Sequence, residues 1–141
     1  MLECALLAYD ASPPSRKALH FAKELAKKTG SELLVLYVID IKKLNEVLGN
    51  LDVEKLKVLE RRANSLVEDA VKYLNEEGVK ARGLVKKGPP PEAIVETAAE
   101  EGCSMIIVGS RGLKGLKRAL LGSVSDKVLR ISNVPVLIVK G

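Results

Sequence analysis

At 141 residues with no compositional break, the chain reads as one domain, long enough to build a core without disulfide or metal staples. Apolar residues make up 47% of it but aromatics only 3%, with no Trp, so the core must be aliphatic, and the aromatic platforms that stack nucleic-acid bases are not supported. Twenty-three basic residues against 18 acidic leave a net charge of +5, too small an excess to indicate nucleic acid, and no apolar run approaches the roughly 20 residues that span a bilayer.

In chain order, Leu2–Ala8 is a nearly continuous apolar run, the pattern of a strand buried on both faces. It follows Met1 directly, without the basic and apolar regions of a signal peptide, so the expected location is the cytoplasm. Ser12 and Pro13 supply a helix N-cap and first position. Ala18, Phe21, Ala22 and Leu25 recur at helical spacing through Ser15–Lys28, and Gly30 stands where a C-terminal glycine belongs. Glu32–Val38 is a second apolar run. Asp40–Asp52 is longer than a usual connection, and Ile41, Leu44 and Leu48 suit one short amphipathic helix there. Val53–Glu77 carries the stripe Leu59, Ala63, Leu66, Ala70 and Leu74, closed by Gly78.

Lys80–Val85 is the most polar strand-like run, through Lys80 and Arg82, which fits an edge strand. A helix then enters through Pro89–Pro91, carries Ile94, Val95, Ala98 and Ala99, and stops at Gly102. Ser104–Val108 and Val134–Val139 are the last two apolar runs. The helix between them shows Val124, Val128 and Ile131, with Pro135 just beyond.

Strands alternating with helices predict a three-layer α/β sandwich: a five-stranded parallel open sheet, order 3-2-1-4-5, flavodoxin-like in having a ligand crevice at the switch point beside strand 1. The crevice lies outside the carboxyl ends of the strands, at Tyr9–Ser12, Ile39–Lys42, Lys86–Pro91 and Gly109–Ser125. Cys4 and Cys103 are too few for a disulfide framework, lack metal-site spacing and read as small buried hydrophobes. The same strand order makes their strands neighbours and so permits a bridge, against the rarity of cytosolic disulfides outside hyperthermophiles.

The fourth strand runs straight into GSRGLKGLKRALLGSVSDKVL. Gly109, Gly112, Gly115 and Gly122 allow backbone N–H groups to turn toward an anion. Ser123-Val124-Ser125-Asp126 opens a helix whose free N–H groups and dipole favour a phosphate. Arg111, Lys114, Lys117 and Arg118 add positive charge, with no acid before Asp126. The competing reading makes Gly112 and Gly115 turn residues and Ser123 with Asp126 a capping box. The loop is neither a P-loop nor G-x-G-x-x-G.

The whole chain resembles a universal stress protein domain of the ATP-binding subgroup. The loop matches that family's G-x2-G-x9-G-S/T pattern at Gly109, Gly112, Gly122 and Ser123. Further matches are Leu6–Asp10, Leu36–Asp40, Gly88-Pro89 and Pro135–Val139. The resemblance implies an adenine-nucleotide alpha-hydrolase-like fold that binds ATP, or ADP or AMP, with Mg²⁺ carried on the phosphates. Asp10 and the backbone of Ala8 and Val38 would then hold adenine and ribose, and Gly109, Gly112, Gly122, Ser123, Val124 and Ser125 the ribose and phosphates. Tyr9 departs from the family's usual smaller residue; it would narrow the adenine side or point into the core.

Asp10 also reads as an Asx-type cap of the turn into the first helix. His20, the sole histidine, falls off the apolar stripe and reads as exposed, which leaves no His triad and too few ligands for zinc. Glu76–Glu77 and Glu100–Glu101 read as solvated helix ends. The apolar last strand, unguarded but for Pro135 and Lys140, would be a sheet edge open to a second copy, and the resemblance likewise implies a homodimer. The expectation is an ATP-binding, homodimeric stress-response regulator that switches a protein partner and binds neither nucleic acid nor membrane. The alternatives are a slow Mg²⁺-dependent ATPase using the same pocket, and a nucleotide-free interaction module.

Overall fold

The computed structural model describes residues 3–110 and 121–140. Five parallel strands, β1 (Cys4–Ala8), β2 (Glu32–Ile39), β3 (Ala81–Lys87), β4 (Met105–Gly109) and β5 (Val136–Val139), lie in the order β3-β2-β1-β4-β5, as expected. The helices are α1 (Pro13–Thr29), α2 (Ile41–Leu48), α3 (Val53–Glu76), α4 (Pro90–Glu100) and α5 (Ser123–Ile131).

Strand alternation divides the core in two. Ala5, Leu7, Leu33, Val35 and Ile107 face the side covered by α1 and α3, while Leu6, Leu34, Leu36, Ile106 and Val108 face α4 and α5. β1 is buried at all but Ala8 and β2 at five of its eight positions, whereas β3 is half-buried or exposed throughout, as an edge strand should be.

The helix boundaries follow their signals. Ser12 caps α1 by accepting the Ser15 N–H, and Gly30 ends the helix at φ 73°, a left-handed conformation in which a side chain would be strained. The face of α1 that meets the sheet is Ala18, Leu19, Ala22 and Ala26. Phe21, expected on that stripe, is 47% exposed. The small residues at 18, 22 and 26 let the helix approach closely, and Phe21 is turned to its flank. In α3 the buried positions begin at Ala63 and continue through Val67, Ala70 and Leu74, so its first turns overhang the carboxyl ends of the strands. In α4 the buried positions are Ile94, Thr97 and Ala98.

Cys4 and Cys103 are both buried and are joined by a disulfide across neighbouring strands, their Cα atoms 4.6 Å apart. The bridge allowed by the strand order is therefore made. In the chain-entropy account, closing a loop of this length contributes about 4–5 kcal/mol. Glu77 and Glu101 are not merely solvated: Glu77 pairs with Lys23 and Lys27, and Glu101 with Arg82. His20 is exposed, and its Nδ1 lies 3.1 Å from the Tyr73 hydroxyl. No helix among the described residues is long and apolar enough to cross a membrane.

Candidate functional site

A cavity of about 630 Å³ opens at the carboxyl ends of β1, β2 and β4, where the switch point falls. Ala8, Asp10, Val38, Gly109, Gly122, Ser123, Val124 and Ser125 all border it. Residues distant in sequence are thus brought to one place. Arg111, Gly112 and Gly115 lie outside the described residues.

Each wall has a local cause. The backbone reverses after β1, with Ala11 left-handed at φ 66°. The Asp10 carboxylate accepts the Ser12 N–H at 2.9 Å, so the Asx turn is formed; Asp10 nonetheless borders the cavity. Tyr9 resolves toward the core: it is buried with Leu7, Ala18 and Leu19, and it also borders the cavity.

On the β4 side, Gly109 lacks a side chain for a packing reason. A Cβ there would lie 2.9 Å from the Pro14 carbonyl oxygen, so the first turn of α1 can cross the end of β4 only over a glycine. Ser125, already named as a candidate, and Ser110, which was not singled out, close the arm. The Ser110 carbonyl accepts from the Gly122 N–H at 2.6 Å and from the Ser125 hydroxyl at 3.1 Å, tying the strand end to the start of α5. Ser125 also donates to the Gly122 carbonyl and is buried, so its hydroxyl holds the backbone.

The start of α5 is the electrostatic centre of this wall. Its N-cap, Gly122, offers no side-chain oxygen and adopts φ −65°, ψ 158°, which any residue can take. Asp126 N–H bonds back to Gly122, but the amides of Ser123, Val124 and Ser125 meet no acceptor among the described residues. Those unpaired donors at the positive end of a helix dipole border the cavity, the arrangement that receives a phosphate.

The far wall comes from α2, whose start the sequence placed at the crevice, and from α3, which it did not. Leu44 of α2 and Leu59 of α3 give apolar surface, and Tyr37, Lys43 and Arg62 give polar groups. The Tyr37 hydroxyl is pushed up from its ordinary value, first by burial and then by the Asp10 carboxylate, with Arg62 pulling it back. Apolar surface, a carboxylate and unpaired amides therefore line one cavity.

A profile described as the Universal stress protein family matches residues 1–140. The chain belongs to that family. It is 36% identical to universal stress protein YxiE of Bacillus subtilis, the alignment covering 99% of this chain and all of the relative. It is 34% identical to universal stress protein MJ0577 of Methanocaldococcus jannaschii, over 99% and 96% of the two chains. The solved structure of MJ0577 superposes with a TM-score of 0.87 at 35% identity, covering 100% of this chain and 97% of that one. Two more distant members share the fold. One universal stress protein, in complex with cAMP, has a TM-score of 0.72 at 24% identity, covering 99% and 97% of the chains. Another, from Archaeoglobus fulgidus and in complex with dAMP, has 0.70 at 23%, covering 98% and 97%.

Proposed function

We propose that the cavity binds an adenine nucleotide, ATP foremost, and that the protein is a homodimeric nucleotide-dependent regulator whose bound state is read by a protein partner. The observation that carries this is the uncapped start of α5, three amides without acceptors among the described residues, opening onto the cavity that Asp10, Ala8 and Val38 also border. Universal stress proteins of the same fold in complexes with cAMP and dAMP support adenine as the base. In this reading Mg²⁺ arrives on the phosphates; among the described residues no three His, Cys, Asp or Glu side chains converge to hold it. Asp10 contacts the ribose, the backbone of Ala8 and Val38 the adenine, and the α5 amides the phosphates.

Nucleotide released from the purified protein by heat should absorb as adenine, and added ATP with Mg²⁺ should bind one per chain. Gly122→Val adopts the same backbone without strain but places a branched side chain beside the free amides. It should weaken ATP binding about tenfold or more (~1.4 kcal/mol) in protein that still melts cooperatively, a check needed because Gly122 is buried. Unchanged affinity in that variant refutes the site. Sustained ADP or AMP release in the same mixture identifies a slow ATPase instead of a regulator.

A further inference from the structure

A second recess of ligand size lies away from the cavity at the strand ends, between α3 and the β3 edge. It holds about 570 Å³ and is bordered by α3 and, on the sheet, by Gly83. A Cβ at residue 83 would collide with the Cγ1 methyl of Val67, so only a glycine lets α3 sit this low on the strand. Asn64, Glu68, Val71 and Asn75, at i, i+4, i+7 and i+11, make one row along the helix, and all four border the groove. That row roofs the open side of β3, and Val67 and Val71 are its apolar part.

Beneath that roof the strand has no neighbour. The Lys80 carbonyl accepts from Leu33 and the Gly88 N–H donates to Ile39, so alternation gives the even positions of β3 to β2. The N–H and C=O groups of Gly83, Val85 and Lys87 therefore turn away from the sheet. The Ala81 N–H, which also points outward, is taken by the Asn75 side chain at 3.2 Å, and this marks where the open stretch begins. A row of alternating backbone donors and acceptors matches one kind of partner, another extended chain. Side chains of such a strand would alternate between the groove and the α4 face, where Leu84 packs and Lys86 stands beside it in the alternation. Lys80, Arg82 and Lys87 each pair with an acid, and Lys86 pairs with none among the described residues. A second copy of β3 would meet Arg82, Lys86 and Lys87 with the same three cations, so charge favours an acidic strand over a copy.

We propose that the β3 edge and the groove above it form a docking site for an extended segment of a partner protein. That segment alternates apolar residues, turned toward Val67 and Val71, with acidic residues turned toward Lys86. Backbone pairing with Gly83, Val85 and Lys87 supplies affinity, and the groove supplies the choice of sequence. This surface lies outside the cavity at the strand ends and is independent of what that cavity binds.

The probe is the acetylated, amidated peptide Thr-Val-Glu-Phe-Glu-Val-Thr, whose Val, Phe and Val share one face of a strand and whose two Glu share the other. Amide hydrogen exchange of the full chain, read by NMR, should slow at Gly83 and Val85. The slowing should be about tenfold when free peptide exceeds its dissociation constant tenfold. Replacing the peptide's Phe with Ala should weaken binding about tenfold or more. The fully N-methylated peptide keeps every side chain but cannot donate, and it should leave both amides unchanged. Val85→Pro, which removes one outward amide and no bond to β2, should weaken the peptide's effect at Gly83 in protein that still melts cooperatively. Unslowed exchange at Gly83 and Val85, an equal effect from the N-methylated peptide, or protection at Val136 and Ile138 of β5 instead overturns the assignment. Protection of the β3 amides that grows with protein concentration in the absence of peptide makes a second copy the occupant and overturns it as well.

Discussion

Ala11 takes a left-handed backbone, φ 66°, one residue after Asp10. For alanine that conformation costs about 1–2 kcal/mol, and it is held by the turn in which Asp10 accepts the Ser12 N–H. Glycine would remove the strain while losing about 0.5–1 kcal/mol to the greater freedom of the unfolded chain. Ala11 is also partly buried against the α1/α3-side core, so Ala11→Gly trades relief of that strain against a lost methyl contact, and the urea-unfolding free energy should stay within about 1 kcal/mol of the wild type; a larger loss would mean that packing of the methyl outweighs the strain. At this scale residue type was legible and its reason often was not. Gly109 fits a phosphate-loop spacing, yet its missing side chain is explained by the Pro14 carbonyl above it. Ser125 reads as a phosphate contact, yet its hydroxyl holds Ser110 and Gly122 together. Both reasons are long-range contacts, and spacing along a chain carries no record of them.

Elements were more legible, because hydrophobic period and capping residues act locally. Polar Lys80 and Arg82 marked β3 as an edge, and the structure shows how the edge is finished. Arg82 spans Glu32 on β2, at 2.6 Å, and Glu101 at the end of α4. Arg82, then Lys80, holds the Glu32 carboxyl below its ordinary 4.5; Lys127 does the same for Glu92, joining α4 to α5, as Lys27 and Lys23 do for Glu77. A carboxyl depressed in the fold contributes stability above its unfolded value, and that contribution is lost as pH falls through the folded value. The melting temperature should thus decline from about pH 4.5 downward, modestly because these pairs are exposed. Arg82→Met should flatten part of that decline, as seen by calorimetry at pH 6 and pH 3.5; an unaltered acid limb would show that Glu32 does not carry it. What the elements concealed was their placement. The stripe from Leu59 to Leu74 predicts one face packed along its length, but the N-terminal half of α3 overhangs the strand ends and gives Leu59 and Arg62 to the cavity.

For the whole molecule, the strand order follows from alternation and handedness, and it sets the question of assembly because an open sheet has two edges. The β3 edge carries Arg82, Lys86 and Lys87, charges that resist pairing with a second copy of the same strand. The β5 edge carries Val136, Leu137, Ile138 and Val139, all half-buried or buried, with Lys140 the one charge beside it. Pro135 and Val139 direct their carbonyls toward β4, accepting from Ile106 and Ser110, so strand alternation turns the amides and carbonyls of Val136 and Ile138 outward. A second copy related by a two-fold axis would satisfy those groups with the same groups of its own, which makes β5 the homodimer edge in the reading proposed here. Light scattering behind a sizing column should give twice the 15.2 kDa chain mass at micromolar concentration. Charged substitutions at Val136 or Ile138 would confound the test, because both side chains pack into the core on the α4/α5 side. Ile138→Pro is the better variant, since it removes an outward amide while leaving the bonds to β4, a change edge strands tolerate. It should shift the mass toward monomer while a cooperative melt persists; a wild-type protein that runs as a monomer throughout would leave this edge without a partner of its own kind.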